Sequence, residues 1–352
     1  MINQSIETIL TNAVEKRASD IHLTAGSPPI IRVDGSLITM GEEKVLPHHL
    51  EGYLKEIMTD DMRERLEHDR DLDFSFGVPR VSRFRVNAYY QRGTIAIAFR
   101  SISGEIPTLN ELNLPTVLKR LIEKPHGLIL VTGPTGSGKS TTLAAMIHEI
   151  NRTQRKRIIT LEDPIEYLHS HDQSIVDQRE IGSDVMKFVS GLRAALRQDP
   201  DVILLGEMRD LETISTAMTA AETGHLVMAT LHTSSAMSTV SRIIDAFPAE
   251  QQDQIRTQLA NVLLGVVSQR LFPRIDVPKG RVAAMEIMLG NPAVANLIRN
   301  EKEFQLPTVI QTSRQHGMQS MDAAIEQLVR QGIINPSPDR RNEVMSDGDI
   351  SV

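Results

Sequence analysis

Cysteine and tryptophan are absent from the 352-residue sequence. Without cysteine the chain can form neither a disulfide framework nor a thiolate zinc site, which suits a reducing compartment. The remaining aromatic residues, eight Phe and four Tyr, are too few to suggest a surface on which single-stranded bases stack. The formal net charge of -7 offers no broad basic surface to a nucleic-acid duplex. These features disfavour nucleic acid as a partner.

Long apolar runs are also missing. No stretch approaches the roughly 18 residues that a membrane-spanning helix needs. The first residues show no basic segment leading into an apolar one, so no secretory signal is predicted. We therefore expect a cytoplasmic protein whose contact with a membrane is peripheral.

The first part of the chain predicts a small α+β domain over residues 1–100. Apolar spacing indicates an amphipathic helix over 3–17, and Asp34-Gly35 between apolar runs indicates a hairpin. Residues 47–68 are predicted to be helical, and three strands follow them. Residues 101–115 carry two prolines and no sustained period, which is typical of an interdomain connection.

Residues 116–333 predict a second domain of the α/β class. Apolar strands that begin at Gly127, Ile158, Val202 and Leu226 are each followed by a helix-length segment, which indicates a mostly parallel sheet wrapped by helices. Its later part, residues 251–333, is predicted to be largely helical with one strand near 281–288. Residues 334–352 become polar, which predicts a disordered tail.

A glycine-rich segment directly follows the first of these strands. Residues 133–140 read Gly-Pro-Thr-Gly-Ser-Gly-Lys-Ser, a P-loop (Walker A) pattern between a strand and a helix. The glycines let backbone N–H groups face phosphate oxygens, and the helix adds its positive end. Lys139 is expected to reach the β- and γ-phosphates of ATP, and the Ser140 hydroxyl to bind Mg²⁺. The predicted nucleotide-binding residues are Gly133, Pro134, Thr135, Gly136, Ser137, Gly138, Lys139, Ser140 and Thr141.

Two acidic segments follow later strands of the predicted sheet. One reads Glu-Asp-Pro-Ile-Glu over 162–166, and the other reads Gly-Glu-Met-Arg-Asp over 206–210. Ligands of open α/β sheets collect at the carboxyl ends of strands, so a carboxylate there can serve the metal or the attacking water. Glu207 is the first choice for activating water and Glu166 the second. The alternative is an ordinary surface or helix-capping acid, an explanation that fits Glu162, Asp163 and Asp210 better.

His225 and His232 flank the strand over 226–231. At the carboxyl end, His232 can donate a hydrogen bond to a γ-phosphate, although a lone histidine is more often structural. In the first domain, Arg83, Arg85, Arg92 and Arg100 fall on two adjacent predicted strands. They form either a solvated basic face or arginine fingers for a neighbouring subunit's ATP, and periodicity alone does not choose between these.

The order of these segments resembles that of the secretion-superfamily ATPases, whose Walker A, Asp box, Walker B and His box match residues 133–140, 162–166, 199–210 and 223–233. Residues 18–35 and 82–88 resemble the PilT branch, the type IV pilus retraction ATPases. The resemblance covers about residues 1–333. It implies a RecA-like P-loop ATPase domain preceded by a small PAS-like α+β domain.

The resemblance also implies a homohexamer that hydrolyses ATP between domains and subunits, with Arg85 and Arg100 as the arginine fingers and His232 as a phosphate sensor. Its expected partners are an inner-membrane platform protein of the pilus machine and a paralogous retraction ATPase. The expected result of its work is pilus retraction and twitching motility. Assembly and type II secretion ATPases resemble each other in carrying a longer N-terminal region and a four-cysteine insertion, neither of which this sequence has.

One segment departs from the retraction pattern. The family signature has arginine and glutamate where this chain has Ala295 and Asn300. An accessory retraction paralogue, or another secretion-type ATPase, is therefore a second reading. A third candidate function is that of a RecA-like nucleic-acid translocase, which the acidic net charge disfavours. A fourth is that of a non-hydrolysing scaffold, which the presence of Glu207 and Glu166 disfavours.

Overall fold

The computed structural model describes residues 5–102, 104–278 and 280–336. The chain divides into two compact units, one formed by Met1–Glu105 with Pro164–Leu168 and the other by Ile106–Asp163 with His169–Val352. The predicted tail falls mostly on residues 337–352, which lie outside the described residues. Within the described part, no helix is long and apolar enough to cross a membrane.

The first unit is built on a six-stranded antiparallel sheet. Its strand order is β3-β2-β1-β6-β5-β4, with bounds β1 Asp20–Thr24, β2 Ile30–Val33, β3 Ser36–Thr39, β4 Asp71–Val78, β5 Ser82–Gln91 and β6 Thr94–Ile102. The predicted hairpin is present, because Asp34 and Gly35 both adopt positive φ, 48° and 83°, as a two-residue turn between twisted strands requires. Phe84 and Phe99 pack edge to face in its core, with ring centroids 6.2 Å apart.

Three helices belong to this unit, α1 Ile6–Glu15, α2 Pro47–Ile57 and α3 Asp60–Asp69. The single helical stretch predicted over 47–68 is thus two helices. Thr59 ends the continuity, because its hydroxyl accepts a hydrogen bond from the Met62 N–H and caps α3, and a capping residue has non-helical backbone. The prediction of a small α+β fold here agrees with this architecture, and the PAS-like assignment stays a prediction.

The second unit contains a seven-stranded sheet of order β13-β12-β7-β11-β10-β8-β9. All neighbouring pairs are parallel except β12 with β13, so the predicted mostly parallel sheet is confirmed. The strands are β7 Gly127–Thr132, β8 Arg157–Glu162, β9 Ile175–Glu180, β10 Val202–Leu205, β11 Leu226–Leu231, β12 Leu263–Pro273 and β13 Arg281–Leu289. Every residue of β7, β10 and β11 is buried, as expected for strands covered on both faces.

Helices cover both faces of this sheet. They are α4 Val117–Ile122, α5 Lys139–Thr153, α6 Phe188–Ala195, α7 Leu211–Glu222, α8 Ala236–Asp245, α9 Ala249–Val262, α10 Pro292–Arg299, α11 Leu306–Thr312 and α12 Met321–Arg330. Two apolar clusters, one on each face, join them to the sheet. The α/β, RecA-like class predicted for this unit is confirmed.

The prediction for residues 251–333 is wrong in one important place. An 11-residue strand, β12, follows α9 without a break, where the sequence indicated helix. Its apolar run lies between two neighbours and is buried on both faces, so it lacks the alternation that identifies a half-exposed strand. The strand brings Gln269 to the phosphate loop.

Candidate functional site

The phosphate loop connects β7 to α5, and its glycines occupy positions that other residues fit poorly. Gly133, Gly136 and Gly138 have φ of 147°, 76° and 85°, a region that favours glycine. A Cβ at Gly133 would lie 2.4 Å from the Gln269 carbonyl oxygen, and one at Gly138 would lie 2.8 Å from the Gln269 Nε2. The loop is therefore packed against β12 as tightly as its backbone allows.

Lys139 begins α5, and its side chain is buried, at 9% exposure. Its Nζ donates hydrogen bonds to the carbonyl oxygens of Gly133 at 2.9 Å and Pro134 at 3.0 Å. The ammonium group is thus enclosed by the loop. The Ser137 hydroxyl oxygen is also buried and has no hydrogen-bond partner within the described residues, so this loop holds both a positive charge and an unused hydroxyl.

Glu207 follows β10 by two residues and lies at the carboxyl end of the sheet. The backbone on either side of it is tied to neighbouring strands, since Gly206 N–H donates to the Leu161 carbonyl at 2.7 Å and Met208 N–H to the Thr230 carbonyl at 3.1 Å. The Thr230 hydroxyl also donates to the Gly206 carbonyl. These bonds fix the direction in which the Glu207 side chain leaves the sheet.

The Glu207 carboxylate contacts two basic side chains. Its Oε1 lies 3.2 Å from the His232 Nε2, and its Oε2 lies 2.8 Å from an Arg209 guanidinium nitrogen. The structure therefore brings together Glu207 and His232, two residues 25 positions apart that the sequence placed at separate strand ends. Such an arrangement can hold a base and a hydrogen-bond donor next to each other.

Burial and charge act in opposite directions on Glu207. Partial burial alone would raise the pKa of its carboxyl group, but hydrogen bonds and positive charge from Arg209, then from His232, outweigh it and lower the pKa. The carboxyl group therefore stays ionised at pH values below the usual pKa range of a glutamate. The ionised form is the one that can accept a proton from water.

Replacing Arg209 with glutamine should move the acid limb of the pH profile of ATP hydrolysis to higher pH. The substitution removes the main cause that lowers the Glu207 pKa. On acidification, the Glu207 carboxylate is therefore protonated at a higher pH than in the parent chain. Because Arg209 is 72% exposed, salt screens its charge, and the shift should shrink at high ionic strength. Activity measured against pH at low and high salt tests this.

The matched control is Arg193→Gln. Arg193 pairs with Glu212 at 2.7 Å, and both side chains are more than half exposed. This pair joins the same residue types at nearly the same distance as Arg209 and Glu207, but it involves neither Glu207 nor His232. Its pH profile should be that of the parent chain. An unshifted profile in Arg209→Gln would show that Arg209 does not set the ionisation of Glu207.

The loop that follows His232 ends at α8, and a partly buried carboxylate fixes this end of the loop. Glu286, on β13, accepts hydrogen bonds from the backbone N–H groups that begin α8 and α12, at Ala236 (2.8 Å) and Met321. Burial raises the Glu286 pKa, with these two bonds opposing the rise. A carboxylate at a helix N-terminus is favourable, so Glu286 anchors the helix that follows the His232 loop.

Two of the other acidic candidates, Asp210 and Glu162, have partners of their own. Asp210 caps α7, accepting from the Thr213 N–H at 2.8 Å and hydroxyl at 2.9 Å, so the capping interpretation of Asp210 is confirmed. Glu162 accepts from the Thr160 hydroxyl and from the Gln178 amide. Glu166 is exposed and lies in the segment Pro164–Leu168 of the first unit, and its role stays a prediction.

Arg85 and Arg100 lie directly opposite each other on β5 and β6, so they share one face of the first unit's sheet. Arg100 Nε donates to Asp20 at 2.9 Å, and Arg85 lies 3.9 Å from Asp73. Partial burial would raise the pKa of Asp20, but hydrogen bonds from Ser19 and Arg100 lower it on balance. Both guanidiniums remain at least half exposed, and their role as arginine fingers stays a prediction.

A cavity of about 260 Å³ adjoins the phosphate loop on the second unit. Its wall is mixed: the apolar lining includes Leu112, Leu114, Leu271 and Ala283, and the polar and charged lining includes Glu111, Thr141, Thr142, Gln269, Arg274 and Arg281. A concave space beside a phosphate loop, with apolar walls and several polar groups, can accept a flat heterocyclic base.

Gln269 is the site residue that sequence reasoning missed. Its amide donates to the Ser137 carbonyl at 2.6 Å and accepts from the Thr142 hydroxyl at 2.8 Å. No motif marks it, because it lies on the strand that was predicted to be helix, more than a hundred residues beyond the loop it contacts.

The sequence profile described as Type II/IV secretion system protein matches residues 1–345. A type IV pilus retraction ATPase of Pseudomonas aeruginosa, PilT, is 48% identical over 94% of this chain and 95% of its own length. The type IV pilus ATPase PilU of the same organism is 41% identical over 93% of this chain and 86% of its own length.

A crystal structure of the pilus retraction motor PilT with bound ADP superposes with a TM-score of 0.87 at 48% identity, covering 96% of this chain and 98% of that one. The resemblance predicted from the four motifs is therefore confirmed. Since the profile spans nearly the whole sequence and the relatives match over nearly their full length, the chain belongs to the type II/IV secretion system protein family.

Proposed function

We propose that the chain is an ATP-hydrolysing motor subunit that powers retraction of type IV pili. The observation that carries the proposal is the carboxylate–imidazole pair of Glu207 and His232, on the same sheet as a phosphate loop that encloses Lys139. The loop binds phosphate, and the pair supplies a base and a hydrogen-bond donor. The retraction ATPase of P. aeruginosa, identical at nearly half of the aligned positions, supports the physiological role.

In this proposal the loop binds the nucleotide through three kinds of group. Backbone N–H groups of residues 136–141 and the start of α5 face the phosphates, Lys139 exchanges its bonds to loop carbonyls for bonds to the β- and γ-phosphates, and the buried Ser137 hydroxyl gains a partner. The adjoining cavity, whose wall combines apolar with polar and charged side chains, takes the purine base.

Mg²⁺ fits the donor set of this site. The residues offer hydroxyl and carboxylate oxygens, which are the ligands this ion prefers. Ser140 is the proposed protein ligand, and the nucleotide phosphates would supply further oxygen ligands. The ion would neutralise charge on the phosphates.

Glu207 and His232 have different roles in the reaction. Glu207, ionised and hydrogen-bonded, accepts the proton of the attacking water. His232 donates to the γ-phosphate and loses that contact when phosphate departs, which makes it the sensor of hydrolysis. Glu166 is the second candidate for the base. Arg85 and Arg100 of a neighbouring subunit add positive charge to the transition state. Arg85 can leave its exposed partner Asp73 at little cost, whereas release of Arg100 leaves the partly buried carboxylate of Asp20 without this partner.

The proposed assembly is a homohexameric ring in the cytoplasm, bound to the inner-membrane platform of the pilus machine. The two domains of each subunit close when ATP binds and reopen after hydrolysis. This motion moves the platform protein, which returns pilin to the membrane. Retraction of the pilus in this way drives twitching motility. A paralogous retraction ATPase is the further expected partner.

An accessory retraction role is the second candidate. It is favoured by α10, where Ala295 and Asn300 replace the arginine and glutamate of the retraction signature. Asn300 ends the helix there, and its side-chain amide donates to the Asn296 carbonyl at 2.7 Å, a contact within the helix that does not need the charge of an acid. The type IV pilus ATPase PilU, identical at 41% of aligned positions, shows that related chains include a second pilus ATPase besides PilT.

Deletion of the gene in its host tests the function. If the chain drives retraction, surface pili accumulate and twitching stops, and the intact gene in trans reverses both. Cells that lose their pili instead would identify an assembly motor and overturn the proposal. Normal numbers of pili with weakened twitching would favour the accessory role.

A further inference from the structure

Gln269 lies where β12 passes the phosphate loop. The preceding residue, Ser268, is opposite Thr132, the last residue of β7, and their hydroxyl groups share a hydrogen bond of 2.9 Å. Gln269 is therefore aligned with the point at which the chain leaves β7 to form the loop. Its side chain is almost fully buried, at 2% exposure, so it has little access to water as an alternative partner.

Both ends of the Gln269 amide are used, and they reach different parts of the loop. Nε2 donates to the carbonyl oxygen of Ser137, inside the loop, and Oε1 accepts from the hydroxyl of Thr142, in the first turn of α5. The two contacted residues are five positions apart along the chain. One side chain thus joins the loop and the beginning of the helix to a central strand.

We infer that Gln269 is a positioning residue of the phosphate loop, a role that rests on the proposed ATPase function. The peptide bond supplies the mechanism, since it is planar and trans and its C=O and N–H groups point in opposite directions. Drawing the Ser137 carbonyl towards β12 turns the Gly138 N–H away from β12, into the loop, where phosphate binds. The bond to Thr142 fixes the helix end that carries the remaining N–H groups.

The chemistry requires a neutral amide of this length. Glutamate could accept from Thr142, but its carboxylate could not donate to the Ser137 carbonyl and would add negative charge beside the phosphates. Asparagine is one methylene shorter, and methionine has the length without either polar group. The Gln269 side chain is thus matched to one acceptor in the loop and one donor in the first turn of α5.

Gln269→Met should raise the dissociation constants of ATP and ADP about tenfold, the effect of losing two buried hydrogen bonds that orient the loop. The maximal rate at saturating ATP should change by less than about threefold, because Glu207 and His232 are untouched and binding is lost equally in ground and transition states. Titration with fluorescent ADP and steady-state kinetics measure the two effects separately.

The matched control is Gln319→Met. Gln319 is a half-buried glutamine whose amide donates to the Met285 carbonyl on β13 at 2.8 Å, so the same substitution removes a hydrogen bond from the same sheet without touching the loop. It should leave the nucleotide affinity unchanged, and thermal melting of both variants shows whether each is folded. Equal losses of affinity in the two variants would overturn the inference, as would wild-type affinity in a folded Gln269→Met protein.

A second pair of variants tests the inference if Gln269→Met does not fold. Thr142→Val removes only the hydroxyl at the helix end, and Thr142→Ser retains it. Affinity should fall about threefold in Thr142→Val, as expected for one hydrogen bond, and should be restored in Thr142→Ser. Equal affinities in these two variants would contradict the role of Gln269. A parent chain that binds no nucleotide would instead contradict the proposed function itself.

Discussion

Replacing Lys139 with alanine is expected to reduce ATP hydrolysis by about 100- to 1,000-fold, the usual effect of removing one preorganised donor from developing charge. The Lys139 ammonium group is enclosed by the loop and bonded to the Gly133 and Pro134 carbonyls. It therefore reaches the phosphates by a small change of partners rather than by a large movement. Phosphate release by the purified protein at saturating ATP measures the loss.

Lys124→Ala is the matched control for this prediction. Lys124 is an exposed lysine of the same unit, two residues after α4, and its removal should leave hydrolysis unchanged. Circular dichroism and melting of both variants separate loss of function from loss of fold. If the Lys139→Ala protein is folded and hydrolyses ATP at close to the parent rate, the loop is not the catalytic phosphate site.

Replacing Glu207 with glutamine should leave nucleotide binding nearly intact and reduce hydrolysis by about 100- to 10,000-fold, the range that one positioned general base contributes. Glutamine has nearly the same shape but cannot take the proton of water at neutral pH. The substitution also leaves Arg209 and His232 without the charge they contact. Binding of fluorescent ATP and single-turnover hydrolysis separate these two steps.

Glu212→Gln is the corresponding control, since Glu212 is an exposed acid in the first turn of α7 whose partner is Arg193. It should hydrolyse ATP normally. The same assays on Glu166→Gln decide between the two candidate bases. A larger loss in Glu166→Gln than in Glu207→Gln would give the role of base to Glu166 and leave Glu207 to orient His232.

The phosphate loop, the parallel strands and the position of Glu207 could be predicted because each depends on neighbours in the sequence. A strand, a glycine-rich turn and a helix follow one another within residues 127–153, and burial makes the strands uniformly apolar. The carboxyl ends of adjacent parallel strands meet at one edge of the sheet, so the general location of Glu207 and His232 followed from strand order.

The contacts that tune these residues could not be predicted, because most of them join distant parts of the chain and the local one depends on the direction of a side chain. Arg209 lies two residues from Glu207, but nothing in its sequence context indicates that it turns back to the carboxylate. Gln269 is separated from Ser137 by 132 residues and lies on a strand whose two-sided burial hides its periodicity. Asp20 pairs with Arg100 across 80 residues, through a strand register that sequence alone does not specify.

The close approach of Gly138 to Gln269 limits how this part of the molecule can change over evolution. A side chain at position 138 would need the space that the Gln269 amide fills, while a smaller residue at 269 would open that space but release Ser137 and Thr142. Either substitution made alone carries a cost, in strain at position 138 or in nucleotide affinity at position 269, so neither change is neutral by itself. The two positions should therefore be substituted together during evolution, although they are 131 positions apart in the chain.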